Sequence, residues 1–307
     1  MTSRPAVLAS AAILAAAGCR RGPFVGVSFQ TMNNPFFIDL AEGLESVVAE
    51  RGYRLEVRDA QWNSLKQKND MADLVMGKAA AIFLNPVNWE GVTGSLEFAR
   101  SKGIPTIVVD APVSDPSLVL ATVASDNFEA GRLAARALAE ACRPARIAIL
   151  HRSVNKACID RVAGFREEVS RRPDMEIVEV QEGGGTTEGA RPVMLDLIAR
   201  RPDLNAVFAI NDPSALGAIS ALESAGKLSQ VKVASVDGAE EALRAIQEGK
   251  LLSTSAQFPR EIGRKAAEVA LRHLAGEPVE KSCVVRVELV TKENVEAFLS
   301  PSGAKPR

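Results

Sequence analysis

Phe24-Val25-Gly26-Val27-Ser28-Phe29 runs into Gln30-Thr31-Met32-Asn33-Asn34-Pro35-Phe36-Phe37, and an amphipathic helix is expected to follow over 38–49. The first six residues are apolar on both faces, as a strand covered by helices on each side should be. The strand breaks at Asn-Asn-Pro, so two adjacent aromatics and two carboxamides stand at a strand's carboxyl end. In open α/β sheets that is where ligands bind. Flat apolar rings beside carboxamides suit a sugar, whose C–H faces stack on aromatics while its hydroxyls need paired donors and acceptors.

The same alternation of strand and helix repeats down the chain. Further strands are expected at 53–59, 80–85, 106–110, 119–123, 146–150, 177–181, 206–210, 232–236, 252–257 and 284–290. Helices are expected at 63–76, 127–141, 160–171, 190–200 and 213–225, with a last long one at 259–274. Repeated β-α-β units imply parallel sheets with right-handed crossovers. At 307 residues the chain is long enough for two lobes. Residues 24–125 and 126–256 each hold four such units, the length of one doubly wound domain. The expected fold class is therefore α/β, with two doubly wound parallel-sheet lobes. The tail 300–307, rich in Pro, Gly and Lys, is expected to be disordered.

Lys+Arg 37 against Asp+Glu 38 gives a formal net charge of -1. That leaves no basic footprint for nucleic acid and points to a neutral or weakly charged partner. At the N-terminus Arg4 precedes an apolar run from Ala6 to Ala17 and then Gly18-Cys19. This pattern reads as a secretory signal over 1–18, too short to span a bilayer. Its Ala16-Ala17-Gly18-Cys19 ending also resembles a bacterial lipobox, which would make Cys19 a lipidated N-terminus; an ordinary signal peptide with an incidental Cys is the alternative. Cys142, Cys158 and Cys283 form an odd set at wide spacings that fits neither a disulfide framework nor a metal site. They are expected to pack as small hydrophobes, a Cys142–Cys158 disulfide being the alternative.

Catalytic signatures are absent. The only histidines are His151 and His273, and no Gly-x-Ser-x-Gly elbow, Walker loop or His-Glu-x-x-His occurs. Gly183-Gly184-Gly185 lacks the spacing of a phosphate loop and reads as a flexible connection. Polar groups instead collect where strands end. The first half offers Gln30, Asn34, Phe36, Phe37, Asp59, Gln61, Trp62, Asn63, Asn85, Asn88, Trp89 and Asp110; the second offers His151, Asn155, Asn211, Asp212, Asp237 and Gln257. Asp accepts from two adjacent hydroxyls, while Asn and Gln both donate and accept, which is the chemistry of holding a polyhydroxyl ligand without transforming it. Asp126, Asn127 and Asp212 also suit a purely structural role as turn or N-cap residues. One ring of the Phe36–Phe37 pair is expected in the core, and Trp62 and Trp89 fit the cleft or the surface equally.

Taken together these residues resemble the ribose and galactose class of periplasmic sugar-binding proteins, the solute receptors of ABC importers with the type I periplasmic-binding-protein fold. The resemblance runs from about Phe24 to Lys292. It is carried by Met32-Asn33-Asn34-Pro35-Phe36-Phe37, Gly52-Tyr53, Asn85-Pro86, Gly103-Ile104-Pro105, Val108-Val109-Asp110, Ala124-Ser125-Asp126-Asn127, Arg161-Val162-Ala163-Gly164-Phe165, Ala206-Val207-Phe208-Ala209-Ile210-Asn211-Asp212, Val236-Asp237-Gly238 and Ala256-Gln257. It implies two lobes joined by three crossings, near Ser125, Ala256 and Cys283, with the ligand enclosed by hinge closure. The lobes would be 24–125 with 257–283 and 126–256 with 284–292, leaving 293–307 as a tail. Ligand contacts would fall on Asn34, Phe36, Phe37, Asp110, Asn211, Asp237 and Gln257, with Arg161 where related repressor effector domains place a ligand-facing Arg.

The resemblance also has gaps. Ala111 and Ile159 stand where the ribose receptors have Arg, Val236 where an aromatic precedes the Asp, and Gly183–Gly185 where the loop carries an aromatic. The implied ligand is therefore a sugar other than ribose, a polyol or a cyclitol, in a cleft widened at Val236 and Gly185 and refilled by Trp62 and Trp89. Implied partners are that ligand and a membrane permease, for a receptor acting as a monomer at the periplasmic face, with no cofactor. Two other classes remain: a sensor presenting its closed form to a chemoreceptor or histidine kinase, and, further off, a glycosidase using Asp110 and Asp237 as its carboxylate pair.

Overall fold

The computed structural model describes residues 22–300. The expected signal segment 1–18, Cys19 and residues 301–307 of the expected tail lie outside them. The chain begins with β1 (Phe24–Phe29), α1 (Pro35–Val48), β2 (Arg54–Asp59), α2 (Ser64–Met76), β3 (Ile82–Leu84), α3 (Thr93–Ser101), β4 (Thr106–Val109) and β5 (Ala121–Ser125). It continues through α4 (Asn127–Ala141), β6 (Ala145–His151), α5 (Lys156–Val169), β7 (Met175–Glu182), α6 (Thr187–Arg200), β8 (Ala206–Ala209), α7 (Asp212–Ser224), β9 (Lys232–Asp237), α8 (Glu240–Gln247) and β10 (Ser253–Ala256). The last elements are α9 (Pro259–Leu274), β11 (Ser282–Val285), β12 (Glu288–Val290) and α10 (Val295–Leu299).

These strands form two six-stranded sheets, ordered β11-β5-β4-β3-β1-β2 and β12-β10-β9-β8-β6-β7. The first is parallel throughout; in the second only β12 runs antiparallel, against β10. Each sheet has apolar clusters on both faces, which is why its central strands read as unbroken apolar runs. In each, the strand order reverses beside the first strand of the lobe, between β1 and β3 and between β6 and β8. Crevices open at such reversals.

Two expectations are corrected near the C-terminus. Residues 284–290 are not one strand: β11 ends at Val285 and β12 begins at Glu288, in different sheets. Val285 packs in the first lobe's core and Val287 against the second's, so the third crossing lies at 286–287 rather than near Cys283. The segment after Lys292 is also more than a tail. Val295 is buried, and Phe298 and Leu299 of α10 pack on the second lobe's core beside α8.

Close helix crossings tie the hinge-side helices together. A Cβ on Gly131 of α4 would overlap the Arg161 carbonyl oxygen, and one on Gly164 of α5 would overlap that of Phe128. In the first lobe Gly43 of α1 and Gly263 of α9 face backbone in the same way. Glycine lets the helix backbones touch.

Candidate functional site

A narrow cavity of about 30 Å³ lies between the closed lobes, at the carboxyl ends of the strands beside both reversals. The first lobe contributes Gln30, Asn34, Phe36, Phe37, Trp62 and Asp110; the second contributes Arg152, Asn155, Ala157, Cys158, Arg161, Asn211 and Asp237; Gln257 stands at the crossing between β10 and α9.

The two carboxylates are held by different sets of donors. Asp110 Oδ2 accepts from Asn85 Nδ2 at 2.9 Å, and Asn85 Oδ1 in turn takes the Gln30 N–H at 3.2 Å. Asp237 Oδ1 accepts from Gln257 Nε2 at 2.7 Å and from Arg161 Nη1 at 3.4 Å. Arg161 is fixed by further bonds to Asn127 Oδ1 (2.8 Å) and the Ile210 carbonyl (2.7 Å). Burial pushes the Asp110 carboxyl up to about 6; Arg161 and Asn85 pull against that, and Asp237 adds to it. Burial raises Asp237 as well, against the opposing pull of Arg161, Gln257 and Asn34. Asp110 (φ 67°), Asp237 (φ 136°) and Trp62 (φ 60°) all sit on left-handed backbone. Such conformations cost about 1–3 kcal/mol each and persist only where the surroundings hold them.

Helix capping fixes the carboxamides. Asn34, Asn155 and Asn211 cap α1, α5 and α7, accepting from Phe36 N (3.0 Å), Cys158 N (3.1 Å) and Ser214 N (3.1 Å). Each Oδ1 is thereby committed to the backbone, while the Asn211 amide donates to the Gly185 carbonyl at 2.9 Å. Gln257 Oε1, by contrast, is buried with no partner, an acceptor facing a site that hydroxyl donors would satisfy.

The two rings do not divide into one core and one open ring: both are buried in the first lobe's core and both line the cavity. Phe37 tilts against Phe29 (centroids 5.5 Å apart), and Phe36 meets Phe37 edge-on at 5.2 Å. Trp62 lines the cavity with the Arg152 guanidinium 4.1 Å above its ring. Trp89 does not line it; its N–H donates across the cleft to the Val154 carbonyl at 3.2 Å. Asn155 Nδ2 reaches Gln30 Oε1 at 3.4 Å, a further bond between lobes. The cleft is closed.

The cavity thus gathers Asn34, Phe36, Phe37, Trp62, Asp110, Arg161, Asn211, Asp237 and Gln257, but not Trp89. Val236 is fully buried in the core of the second lobe, so its small size does not widen the cleft. The space above Gly185 is not open either, because a Cβ there would meet Arg152 Cδ at 3.1 Å. Arg152 is the residue that the sequence reading missed. It lies in the short loop between β6 and α5, and nothing local distinguishes it from a solvated arginine. Of the residues with a proposed structural role, Asp126 caps α4 by accepting from Glu129 N, but Asn127 holds Arg161. Asp212 accepts from Ser235 Oγ (2.5 Å), Thr254 Oγ1 (2.8 Å) and Ala239 N (2.7 Å), knitting β9, β10 and the approach to α8. The three cysteines are free, and Cys158 stands in the cavity wall with its thiol pushed up to about 12 by burial. Among the described residues no group of three or more His, Cys, Asp or Glu is placed to hold a metal ion.

Comparison with known proteins gives a consistent picture. The periplasmic binding protein domain family matches residues 25–278. The ribose import binding protein of Bacillus subtilis (strain 168) is 34% identical over 271 residues, covering 88% of this chain and 87% of that protein. Among solved structures, an ABC transporter solute-binding protein from Mycobacterium smegmatis with bound glycerol superimposes with a TM-score of 0.85 at 33% identity, covering 92% of this chain and 98% of that one. One from Bacillus halodurans C-125 with bound myo-inositol gives 0.84 at 28% identity, covering 90% and 97%.

Proposed function

The chain belongs to the periplasmic binding protein family, in its ribose and galactose class of sugar receptors, and from that premise we propose how its cleft takes its solute. It is a solute-binding protein of an ABC importer that captures a sugar or polyol between its lobes. The relatives named above are called after, or hold, ribose, glycerol and myo-inositol, molecules that share only their hydroxyl-rich surface. One observation carries the assignment of contacts: the buried carboxylates Asp110 and Asp237, the unpaired Gln257 Oε1 and the Phe36 ring line one enclosed space. In this reading the two carboxylates accept from ligand hydroxyls, Arg161, Asn34 and Asn211 frame them, and Phe36, Phe37 and Trp62 bear on the C–H faces. The closed form then docks on the membrane permease as a monomer. The site binds rather than transforms, since both carboxylates are committed to holding positions by Asn85, Gln257 and Arg161.

Thermal melting of the purified protein with pentoses, hexoses, polyols, cyclitols and nucleosides tests this reading, because a ligand that binds only the folded state raises the melting temperature. We expect one class to give a shift that Asp237→Ala abolishes; flat curves across the whole panel would overturn it. Turnover of an aryl glycoside would instead favour the enzymatic class. Anchoring through Cys19 is tested separately: Cys19→Ser should move the protein from the membrane to the soluble periplasmic fraction, and an unchanged distribution would rule the anchor out.

A further inference from the structure

We infer that Arg152, laid over Trp62, receives a carboxylate of the ligand, so that the captured solute is an acidic sugar, an aldonic or uronic acid, rather than its neutral parent. The inference rests on the receptor reading above and narrows its ligand class.

The cavity holds two arginines and treats them differently. Arg161 is paired with Asp237, and its Nε and Nη1 are spent on Asn127 and Ile210. Among the described residues Arg152 has no carboxylate within ion-pair distance. Its Nη1 donates to the Gly184 carbonyl at 2.7 Å, while its Nε is buried without a partner. Glu182 attracts it through space but forms no ion pair with it, its carboxylate oxygens both accepting the Ser153 N–H at 3.2 Å. Arg152 is half-buried, its Nε is shielded from water without a partner, and burial pulls the group below the ordinary arginine range.

Geometry suits a carboxylate guest. The guanidinium sits over the Trp62 ring at 4.1 Å, and the side chain's Cδ lies against Gly185. Stacking uses the face of the guanidinium and leaves its edge for hydrogen bonds; with Nη1 held by Gly184, the Nε edge carries the remaining N–H donors, a fork that matches a carboxylate in bidentate fashion. A hydroxyl could occupy one donor but would leave the charge uncompensated. The other acids in the cavity do not supply that compensation, since Asp237 faces Arg161 and Asp110 faces Asn85.

Calorimetric titration at pH 7 with matched pairs decides the matter: galacturonate and galactose, glucuronate and glucose, ribonate and ribose. We expect the acid of at least one pair to bind about tenfold or more tightly than its parent. Arg152→Gln should erase most of that preference, weakening the acid far more than the parent, and Arg152→Lys should retain part of it through charge alone. A melting curve for each variant establishes that it is folded. Neutral parents binding as well as the acids in every pair, or a preference that survives in folded Arg152→Gln, would overturn the carboxylate assignment while leaving the receptor reading intact. Failure of every acid to bind would also overturn the carboxylate assignment, whereas only flat melting curves across the wider panel as well would overturn the receptor reading.

Discussion

Asp110 is only 4% exposed and carries a carboxyl whose charged form its surroundings disfavour. Between the ordinary range near 3.8 and about 6, the folded state keeps a proton that the unfolded chain has lost. Stability from this group is therefore complete below about 3.8 and is lost as pH rises through about 6. Asp212, pushed up to about 7 by burial and by Asp237, contributes with the same sign. Asp110→Asn removes the penalty, so unfolding at pH 7 should show the ligand-free variant more stable by about 1–3 kcal/mol. The same variant should bind ligand about tenfold or more weakly, because an ionised acceptor is lost. In the parent protein affinity should fall as pH drops below about 6, and in Asp110→Asn that dependence should flatten; matching pH profiles would count against a ligand contact at Asp110. At this scale the sequence was informative where function demands a residue type at a strand end, as with Asp110, Asp237 and Gln257. It was silent about Asn85 and Asn127 as holders of charged groups, and about Arg152, because which side chain fills a gap across a cleft depends on the opposite lobe.

The helix pair α4 and α5 sets the position of Arg161, since the Arg161 carbonyl is the atom against which Gly131 packs. Gly131→Ala forces the helices apart, and overpacking of this kind costs about 1–3 kcal/mol. It should also weaken ligand binding by about tenfold, because Arg161 moves off Asp237 and Asn127. Leu197→Ala is the control: it opens a hole in the far core of the second lobe and should cost about 2–5 kcal/mol in denaturant unfolding with affinity unchanged. Equal affinity losses in both variants would show that global destabilisation, not the helix crossing, is responsible. The central strands and long helices could be read from the chain because covered parallel strands are continuous apolar runs and helices alternate with them. The residues 284–290 could not, since Val284-Val285-Arg286-Val287-Glu288-Leu289-Val290 is a good strand in either sheet and only packing decides where it changes lobe. Helix α10 has five residues, too few for periodicity to reveal it.

Closure of the whole molecule is a balance between contacts that span the cleft and charges that closing buries. On one side stand the Gln30–Asn155 and Trp89–Val154 hydrogen bonds and the Arg152–Trp62 stack. On the other stand the desolvation of Asp110 and Asp237 and the unpaired Gln257 Oε1. The favourable contacts are worth about 1 kcal/mol each, while an unsatisfied buried group costs about 1–3 kcal/mol, so the ligand-free protein should favour the open arrangement. A ligand shifts that balance only through groups that it meets in the closed form, and hydroxyls donating to Asp110, Asp237 and Gln257 from both sides of the cleft are such groups. Moving the closed population from 1% to 99% needs about 5.5 kcal/mol of differential binding, within reach of four or five charge-assisted hydrogen bonds. Small-angle scattering should therefore show the radius of gyration fall when saturating ligand is added. Asp110→Asn, which lowers the cost of closing, should already be more compact than the parent protein without ligand. If the parent has one radius with and without ligand, closure is not ligand-gated, and the burial of these carboxylates must be offset within the ligand-free protein.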